Sequence, residues 1–289
     1  MNDTNTIYLG RKEKHFSIVF YGSIFNPMDI LVSMKQVPDT QKVKIDPERG
    51  TLIRKGVPAI ANPFDESALE IALDLKERLG GTVTVVTMGI PDAECLLRDA
   101  LTLGADRAVL LTDRDFAGAD TLATSYALSM AIRALGGFDL LLFGKQAIDG
   151  DTAQVGPETA CHLGMPVITF VSSIVSAGSG GIFVERMIEG GLEVMRSDFP
   201  VLLTVVKAPR RLRIPTLDGI IASLDVPVRR MGASDIGAQV SLCGLKGSPT
   251  RVKKVFTPAV HSKIRFFEGS AEEKARGFAE LLREKGIAR

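Results

Sequence analysis

The residues best suited to chemistry lie in one small and polar stretch, GKQAIDGDTAQVG at 144–156. Its glycines and alanines let backbone amides approach a ligand closely, and amides at the start of a helix favour phosphate groups. The side chains of Thr152 and Gln154 can add hydrogen bonds. Asp149 and Asp151 would repel a phosphate that they faced, so helix caps or contacts to sugar hydroxyls suit them better. The alternative is a glycine-rich turn with capping aspartates and no ligand.

No residue pattern predicts a catalytic nucleophile, a general acid or base, or a metal site. The motifs GxGxxG, GxxxxGK[ST], HExxH and GxSxG do not occur. Asp149 and Asp151 lack a third ligand for a metal. Cys95, Cys161 and Cys243 are far apart, which argues against disulfides, zinc and iron–sulfur clusters. Such cysteine usage favours the reducing environment of the cytoplasm.

The elements that must position the loop alternate regularly along the chain. Short runs rich in Val, Leu and Ile predict strands that are covered on both faces. These runs occupy 28–34, 82–88, 107–112, 138–144 and 166–171. Segments between them have helical spacing and predict helices at 62–80, 92–103 and 120–135. This alternation predicts the α/β class, with an open parallel sheet and helices on both faces.

The first of these helices has clear end signals. Asn62 suits the N-cap position, and Pro63 suits the first helical position. Asp65 and Glu66 place negative charge in the first turn, where the helix dipole favours it. Gly80 and the glycine after it end the helix.

The pattern changes after about residue 172. Segments near 173–176, 182–188 and 192–195 predict a small antiparallel addition, and 200–207 predicts a strand that returns to the main sheet. We therefore expect a nucleotide-binding α/β domain at 28–207. Residues 208–289 are predicted to form an extended C-terminal arm, with a helix at about 271–285, that contacts another protein surface. Residues 1–27 are interpreted as a dispensable N-terminal extension rather than an export signal.

Charge and hydropathy exclude two classes of partner. The net charge is +1, so nucleic acid is not favoured. No stretch approaches the roughly 18 consecutive apolar residues of a membrane helix, so a membrane-embedded protein is not expected.

Four segments are predicted to meet at the carboxyl edge of the sheet. They are 33–35 after the first strand, 62–65 at a helix start, 88–89 after the second strand, and the loop at 144–156. Ligands of open parallel sheets bind at this edge. The residues alone therefore favour a Rossmann-like nucleotide-binding domain.

The stretch VERMIEGGLEVM at 184–195, followed by PVLLT at 200–204, resembles the signature of the electron-transfer flavoprotein β-subunit family. That signature is V-x-R-x-x-[DE]-G-G-x-[EQ]. The segments GADRAVLL at 104–111, GKQAID at 144–149 and NPFDE at 62–66 are also similar to the family, and the resemblance covers residues 28–262.

The resemblance implies an adenine-nucleotide-binding subunit that forms a heterodimer with an α-type subunit carrying FAD. Electrons would arrive from an acyl-CoA dehydrogenase or NADH and leave to a quinone reductase or another flavoenzyme. The resemblance implies the following nucleotide contacts: Ser33, Asn62, Pro63, Phe64, Asp65, Met88, Gly144, Gln146, Asp149, Asp151, Thr152, Ala153, Gln154, Val155 and Gly156.

Three further segments, 34–40, 148–157 and 245–250, resemble the anaerobe-type, flavin-bifurcating branch of the family. In that branch the β-subunit site holds a second FAD that NADH reaches. We favour FAD in this site, and AMP bound as a structural ligand is the alternative.

Leu217 matches the family's partner-recognition leucine. Packing of this side chain against the α-type subunit or the chain's own core is the alternative. A nucleotide-binding stress-type sensor on a similar scaffold is the remote alternative for the whole chain. A sensor of that class would be shorter and would lack the signature.

Overall fold

A computed structural model describes residues 27–39, 44–45, 52–53, 58–207, 212–251 and 266–287. The strands are Met28–Ser33 (β1), Gln36–Pro38 (β2), Lys44–Ile45 (β3), Leu52–Ile53 (β4), Ala59–Ala61 (β5), Gly81–Met88 (β6), Arg107–Leu111 (β7), Leu140–Gly144 (β8), Val167–Gly178 (β9), Gly181–Ile188 (β10), Gly191–Ser197 (β11), Val201–Val205 (β12) and Val228–Met231 (β13). The helices are Pro63–Leu79 (α1), Glu94–Thr102 (α2), Thr121–Leu135 (α3), Val155–Leu163 (α4), Leu217–Ser223 (α5), Gly244–Gly247 (α6) and Ala271–Glu284 (α7).

Nine of the described strands form one sheet in the order β11-β10-β9-β12-β8-β1-β6-β7-β13. The strands from β9 to β13 in this order pair in parallel. At the other end, β10 pairs antiparallel with both β9 and β11. The predicted parallel sheet with a small antiparallel addition is therefore confirmed, and 200–207 does return to the main sheet as β12.

Alternate residues of the central strands enter two different cores, which explains why these strands are apolar throughout. In β1, Ile30 and Val32 belong to the core beneath α1 and α2, whereas Leu31 belongs to the core beneath α3 and α4. All three side chains are fully buried. Burial of an Ile or Leu side chain contributes about 1.5–3 kcal/mol, so packing in both cores stabilises the sheet.

The predicted helices form with small changes at their ends. Asp120 caps α3, because its carboxylate accepts a hydrogen bond from the Ala123 N–H at 3.1 Å. The segment predicted as one helix at 92–103 begins with a short 3₁₀ turn at Pro91–Ala93 before α2. The two strands predicted at 166–171 and 173–176 are one continuous strand, β9, with irregular pairing to β10.

The chain after residue 212 adds elements to the same body. β13 pairs with β7, and α5 packs against α2. Met231, Ala233, Ile236 and Cys243 are buried in the core beneath α3 and α4. These contacts do not test the predicted division of the chain at residue 208, which stays a prediction. The predicted extension at 1–27 lies outside the described residues except for its last residue.

Most described residues up to 251 form one compact unit, and residues 266–287 belong to a second, smaller unit. The second unit contains α7, which agrees with the helix predicted at about 271–285. Ser270 and Glu273 form a capping box at its start, and the rings of Phe267 and Phe278 meet edge to face at 6.1 Å.

Candidate functional site

Three neighbouring strands end side by side at the carboxyl edge of the sheet. β8, β1 and β6 are adjacent, and their last residues are Gly144, Ser33 and Met88. Ser33 lies level with Phe143 on one side and with Val86 on the other. The structure therefore brings the strand ends that the sequence predicted to converge to one edge, where open parallel sheets bind ligands.

Asn62 joins the start of α1 to the loop after β8. Its side-chain Nδ2 donates a hydrogen bond to the Gln146 carbonyl at 2.8 Å, and its Oδ1 accepts one from the Ile148 N–H at 3.2 Å. Asn62 holds the predicted N-cap position, but its side chain does not cap the helix. The residue is only 1% exposed, and its buried amide instead holds the loop after β8 in place.

Asp65 joins the start of α1 to the ends of two strands, β1 and β8. Its carboxylate accepts the Lys35 N–H at 2.7 Å and the Gly144 N–H at 3.1 Å. Burial raises the pKa of this carboxyl to about 7, although hydrogen bonds from Asn62, Lys35 and Gly144 and the charge of Lys35 oppose the rise. The buried carboxyl fastens the ends of β1 and β8 to the first turn of α1.

Gly144 has no room for a side chain. A Cβ atom there would lie 2.1 Å from the Asp65 Oδ1 and 2.8 Å from the Phe64 Cβ. Gly156 is similarly restricted, because its Cβ would lie 2.7 Å from the Thr204 Cγ2. Glycine at these positions allows the loop after β8 to lie directly on α1 and β12.

The loop leading into α4 has an unusual backbone. Asp151 and Ala153 have φ values of 55° and 56°, in the left-handed region, and Gln154 returns to the right-handed helical region. Consecutive left- and right-handed residues turn their N–H groups toward one side and form an anion-binding concavity. The N–H groups of residues 152–156 find no acceptor among the described residues. They are free to bind a ligand at the start of α4.

Two lysines bring positive charge to this edge. The Lys35 Nζ pairs with the exposed Asp149 carboxylate at 2.7 Å. The Lys145 Nζ lies 5.7 Å from the centre of the Phe64 ring and 5.3 Å from that of Phe170, within the range of cation–π contacts. Lys145 is therefore the lysine at this edge that could approach an anionic ligand, because the charge of Lys35 is already paired with Asp149.

The predicted contact residues all lie on the segments that border this edge. Pro63 and Phe64 open α1, and Gln146 donates a hydrogen bond to Asp151 across the loop. Thr152, Ala153 and Gln154 follow on the loop, and Val155 and Gly156 open α4. Their contacts to a ligand stay predictions.

Sequence reasoning left three nearby residues out of the predicted site. Lys35 and Lys145 lie on segments that the sequence places at this edge, but neither is among the predicted contact residues. Phe170 has the sequence character of an ordinary strand residue. Its φ of 61° at an irregularity in β9 has no local sequence signal, because only the tertiary pairing of β9 creates the bend.

Leu217 lies away from the loop elements, as the first residue of α5. Its side chain is 72% exposed, and Ile214, Ile221 and Leu224 nearby are also exposed. An exposed apolar cluster of this kind is typical of a docking surface.

Within the described ranges, no three His, Cys, Asp or Glu side chains cluster in a way that could hold a metal ion. The same ranges contain no helix with the length and apolar character needed to cross a membrane.

Comparison with known proteins gives a family match over more than half of the chain. Residues 49–225 match the electron transfer flavoprotein domain. The electron transfer flavoprotein subunit beta of Clostridium acetobutylicum is 46% identical over 258 residues, which cover 89% of this chain and 99% of that protein.

Two further relatives carry more specific names. Protein FixA of Bradyrhizobium diazoefficiens is 45% identical, over 88% of this chain and 91% of its own length. The caffeyl-CoA reductase-Etf complex subunit CarD of Acetobacterium woodii is 46% identical, over 90% of this chain and 100% of its own length.

Proposed function

Because this chain belongs to the electron transfer flavoprotein family as a β-type subunit, we propose that its loop at 144–156 binds an adenine nucleotide. The observation that carries this proposal is the row of N–H groups at 152–156 without acceptors among the described residues. A phosphate at this position would receive these hydrogen bonds and lie at the positive end of the α4 dipole. The exposed carboxylates of Asp149 and Asp151 suit ribose hydroxyls rather than phosphate.

We favour FAD as the nucleotide. Segments 34–40, 148–157 and 245–250 support this choice, because they resemble the branch whose β-subunits hold a second FAD. The alternative is AMP, which Glu189 and the two glycines after it support by following the common family signature. Bound AMP would stabilise the subunit by about 2.7 kcal/mol at a hundredfold excess over its Kd.

A flavin in this site would supply hydride and single-electron chemistry. The chain's own residues would hold it in place. Asn62 and Asp65 keep the loop on α1, and residues 152–156 would receive the phosphates. Ser33 and Met88 border the site from the neighbouring strand ends.

We further propose that the chain forms a heterodimer with an α-type subunit that carries FAD, and that the pair exchanges electrons with other flavoenzymes. An acyl-CoA dehydrogenase or NADH would donate electrons, and a quinone reductase or a second flavoenzyme would accept them. The three cysteines are unpaired, which fits the reducing cytoplasm as the site of this reaction.

Anaerobic titration of the α–β complex with NADH tests the choice of cofactor. Flavin bleaching by NADH alone supports FAD in the 144–156 site as the entry point for hydride. Absence of bleaching by NADH, together with bleaching by a reduced acyl-CoA dehydrogenase, would favour AMP and assign this subunit a structural and docking role.

Leu217 is proposed as the anchor that enters an apolar pocket on the dehydrogenase. An exposed side chain of this kind can contribute about 2 kcal/mol or more to an interface. Leu217→Ala is therefore expected to slow electron transfer from the dehydrogenase and leave flavin content intact. Leu192→Ala is the matched control, because Leu192 is also exposed but lies on β11 at the other end of the sheet. Unchanged kinetics in Leu217→Ala would contradict the assignment.

A further inference from the structure

We propose that Arg213 is a positioning residue that holds the segment bearing Leu217 in the orientation required for docking to the flavoenzyme partner. This inference rests on the proposed docking role of Leu217. It concerns the contacts between residues 212–224 and the two helices beneath them, α1 and α2.

Arg213 binds Glu70 through both its backbone and its side chain. The Arg213 N–H and Nε donate to the Glu70 Oε2 at 3.0 and 3.1 Å, and the Nη2 donates to the Oε1 at 3.2 Å. Both oxygens of one carboxylate therefore receive donors from one residue. This geometry fixes both the backbone and the guanidinium of Arg213 on Glu70. A lysine could not reproduce it, because an ammonium group lacks the planar, two-pronged set of donors.

The burial of Glu70 makes this contact strong. Its side chain is only 5% exposed, and that of Arg213 is 22% exposed. Water screens such a buried, charge-assisted contact little, so it is stronger than an ion pair on the surface. The contact therefore favours a fixed position of Arg213 on α1.

Glu77 adds a second attachment on the same face of α1. It lies two turns after Glu70 and pairs with the Arg213 Nη1 and Nη2. Its side chain is 60% exposed, so this contact is weaker and can be removed without leaving a buried charge.

The segment after Arg213 is also fixed. The Thr216 hydroxyl accepts a hydrogen bond from the Gly219 N–H at 3.0 Å and caps α5. Gly219 lies so close to α2 that a Cβ there would be 2.5 Å from the Thr102 carbonyl. Beyond α5, Arg98 of α2 donates to the Val226 carbonyl at 2.7 Å.

Leu217 thus projects from a short helix that is held at both ends. The attachment before it depends on Arg213, and the attachment after it depends on α2. Without Arg213, the segment before α5 would have to be ordered when the partner binds, and that ordering weakens docking.

The test compares variants of the complete α–β complex, with a purified acyl-CoA dehydrogenase and its acyl-CoA substrate as the electron donor. Arg213→Ala is expected to raise the KM for the dehydrogenase about tenfold and to change kcat less than about twofold. Amide hydrogen exchange of 212–220 is expected to rise about tenfold or more, with nucleotide content unchanged. Glu77→Gln, which leaves Glu70 and Arg213 paired, is expected to raise KM about threefold.

Arg78→Ala is the control, because it removes an arginine of α1 that pairs with Asp74 one turn earlier. It is expected to leave KM and exchange at 212–220 unchanged. If Arg213→Ala does not fold, the smaller KM change in Glu77→Gln decides the question.

Two results would overturn the proposal. In the first, Leu217→Ala raises KM while Arg213→Ala and Glu77→Gln do not, which would mean that docking does not need the contacts of Arg213 with α1. In the second, Arg213→Ala raises KM without faster exchange at 212–220, which would mean that Arg213 contacts the partner directly. A Leu217→Ala complex with unchanged KM would instead refute the proposed docking function itself.

Discussion

Replacement of Asp65 by asparagine should change the pH dependence of stability in a characteristic way. Burial raises the pKa of Asp65 from an ordinary value of 3.8 to about 7. The folded chain therefore keeps a proton on this carboxyl up to about pH 7, whereas the unfolded chain releases it near pH 4. Since the unfolded state binds fewer protons in this window, the free energy of unfolding falls as pH rises through it.

The size of the effect follows from the separation of the two pKa values. Each pH unit contributes about 1.36 kcal/mol, so wild-type stability should fall by about 4 kcal/mol from this group between pH 4 and pH 8. Asparagine does not titrate, so Asp65→Asn lacks this fall. Its NH₂ group would face one of the backbone N–H donors of Lys35 or Gly144 and leave it unpaired, at a cost of about 1–3 kcal/mol.

Asp65→Asn should therefore be less stable than the wild type at pH 4.5 and equally or more stable at pH 8. Urea unfolding of the ligand-free chain, followed by circular dichroism across this range, measures both values. A stability difference between variant and wild type that stays constant with pH would refute the reasoning.

Asp120→Asn provides a control with the opposite sign. Burial alone would raise the pKa of Asp120, but hydrogen bonds from Ala123 and Thr250 outweigh it and hold the pKa below its ordinary value. Asp120 therefore contributes stability that is present above its ordinary pKa and is lost as pH falls. The destabilisation caused by Asp120→Asn should shrink in acid.

Three other changes test the site and the chain limits. Gly144→Ala should abolish nucleotide binding, because its Cβ would overlap Asp65. Gly137→Ala, outside the loop and with no atom within 4 Å of the new Cβ, should bind normally in the same equilibrium dialysis assay. Asn62→Ala should lower the free energy of unfolding by about 2–4 kcal/mol, because it removes two buried hydrogen bonds to the loop, and a loss under about 0.5 kcal/mol would contradict that role. A chain that starts at Met28 should fold and pair with the α-type subunit, and failure of co-purification would show that the extension is needed.

Much of the sheet could be predicted because each central strand is an uninterrupted apolar run between helix-like segments. Such runs have few other ways to bury both faces. The convergence of Ser33, Met88 and Gly144 followed from the same reasoning, because parallel strands end at one edge. Here local composition was enough to predict the region of the site.

The detailed geometry of the site could not be predicted, because it depends on contacts distant in sequence. Asn62 has the local character of a helix cap, but its amide binds the loop 84 and 86 residues later. The left-handed backbone of Phe170 is created by an irregularity in pairing between β9 and β12. The Arg213–Glu70 contact spans 143 residues, and no local pattern marks either partner.

The central claim is that the 144–156 loop of this subunit binds an adenine nucleotide, with FAD favoured. Quantification of FAD and AMP released from the purified α–β complex tests it most directly. Two FAD for each α–β pair is the predicted result, and one FAD with one AMP would retain the nucleotide site but replace FAD by AMP. One FAD with no second nucleotide would contradict the claim.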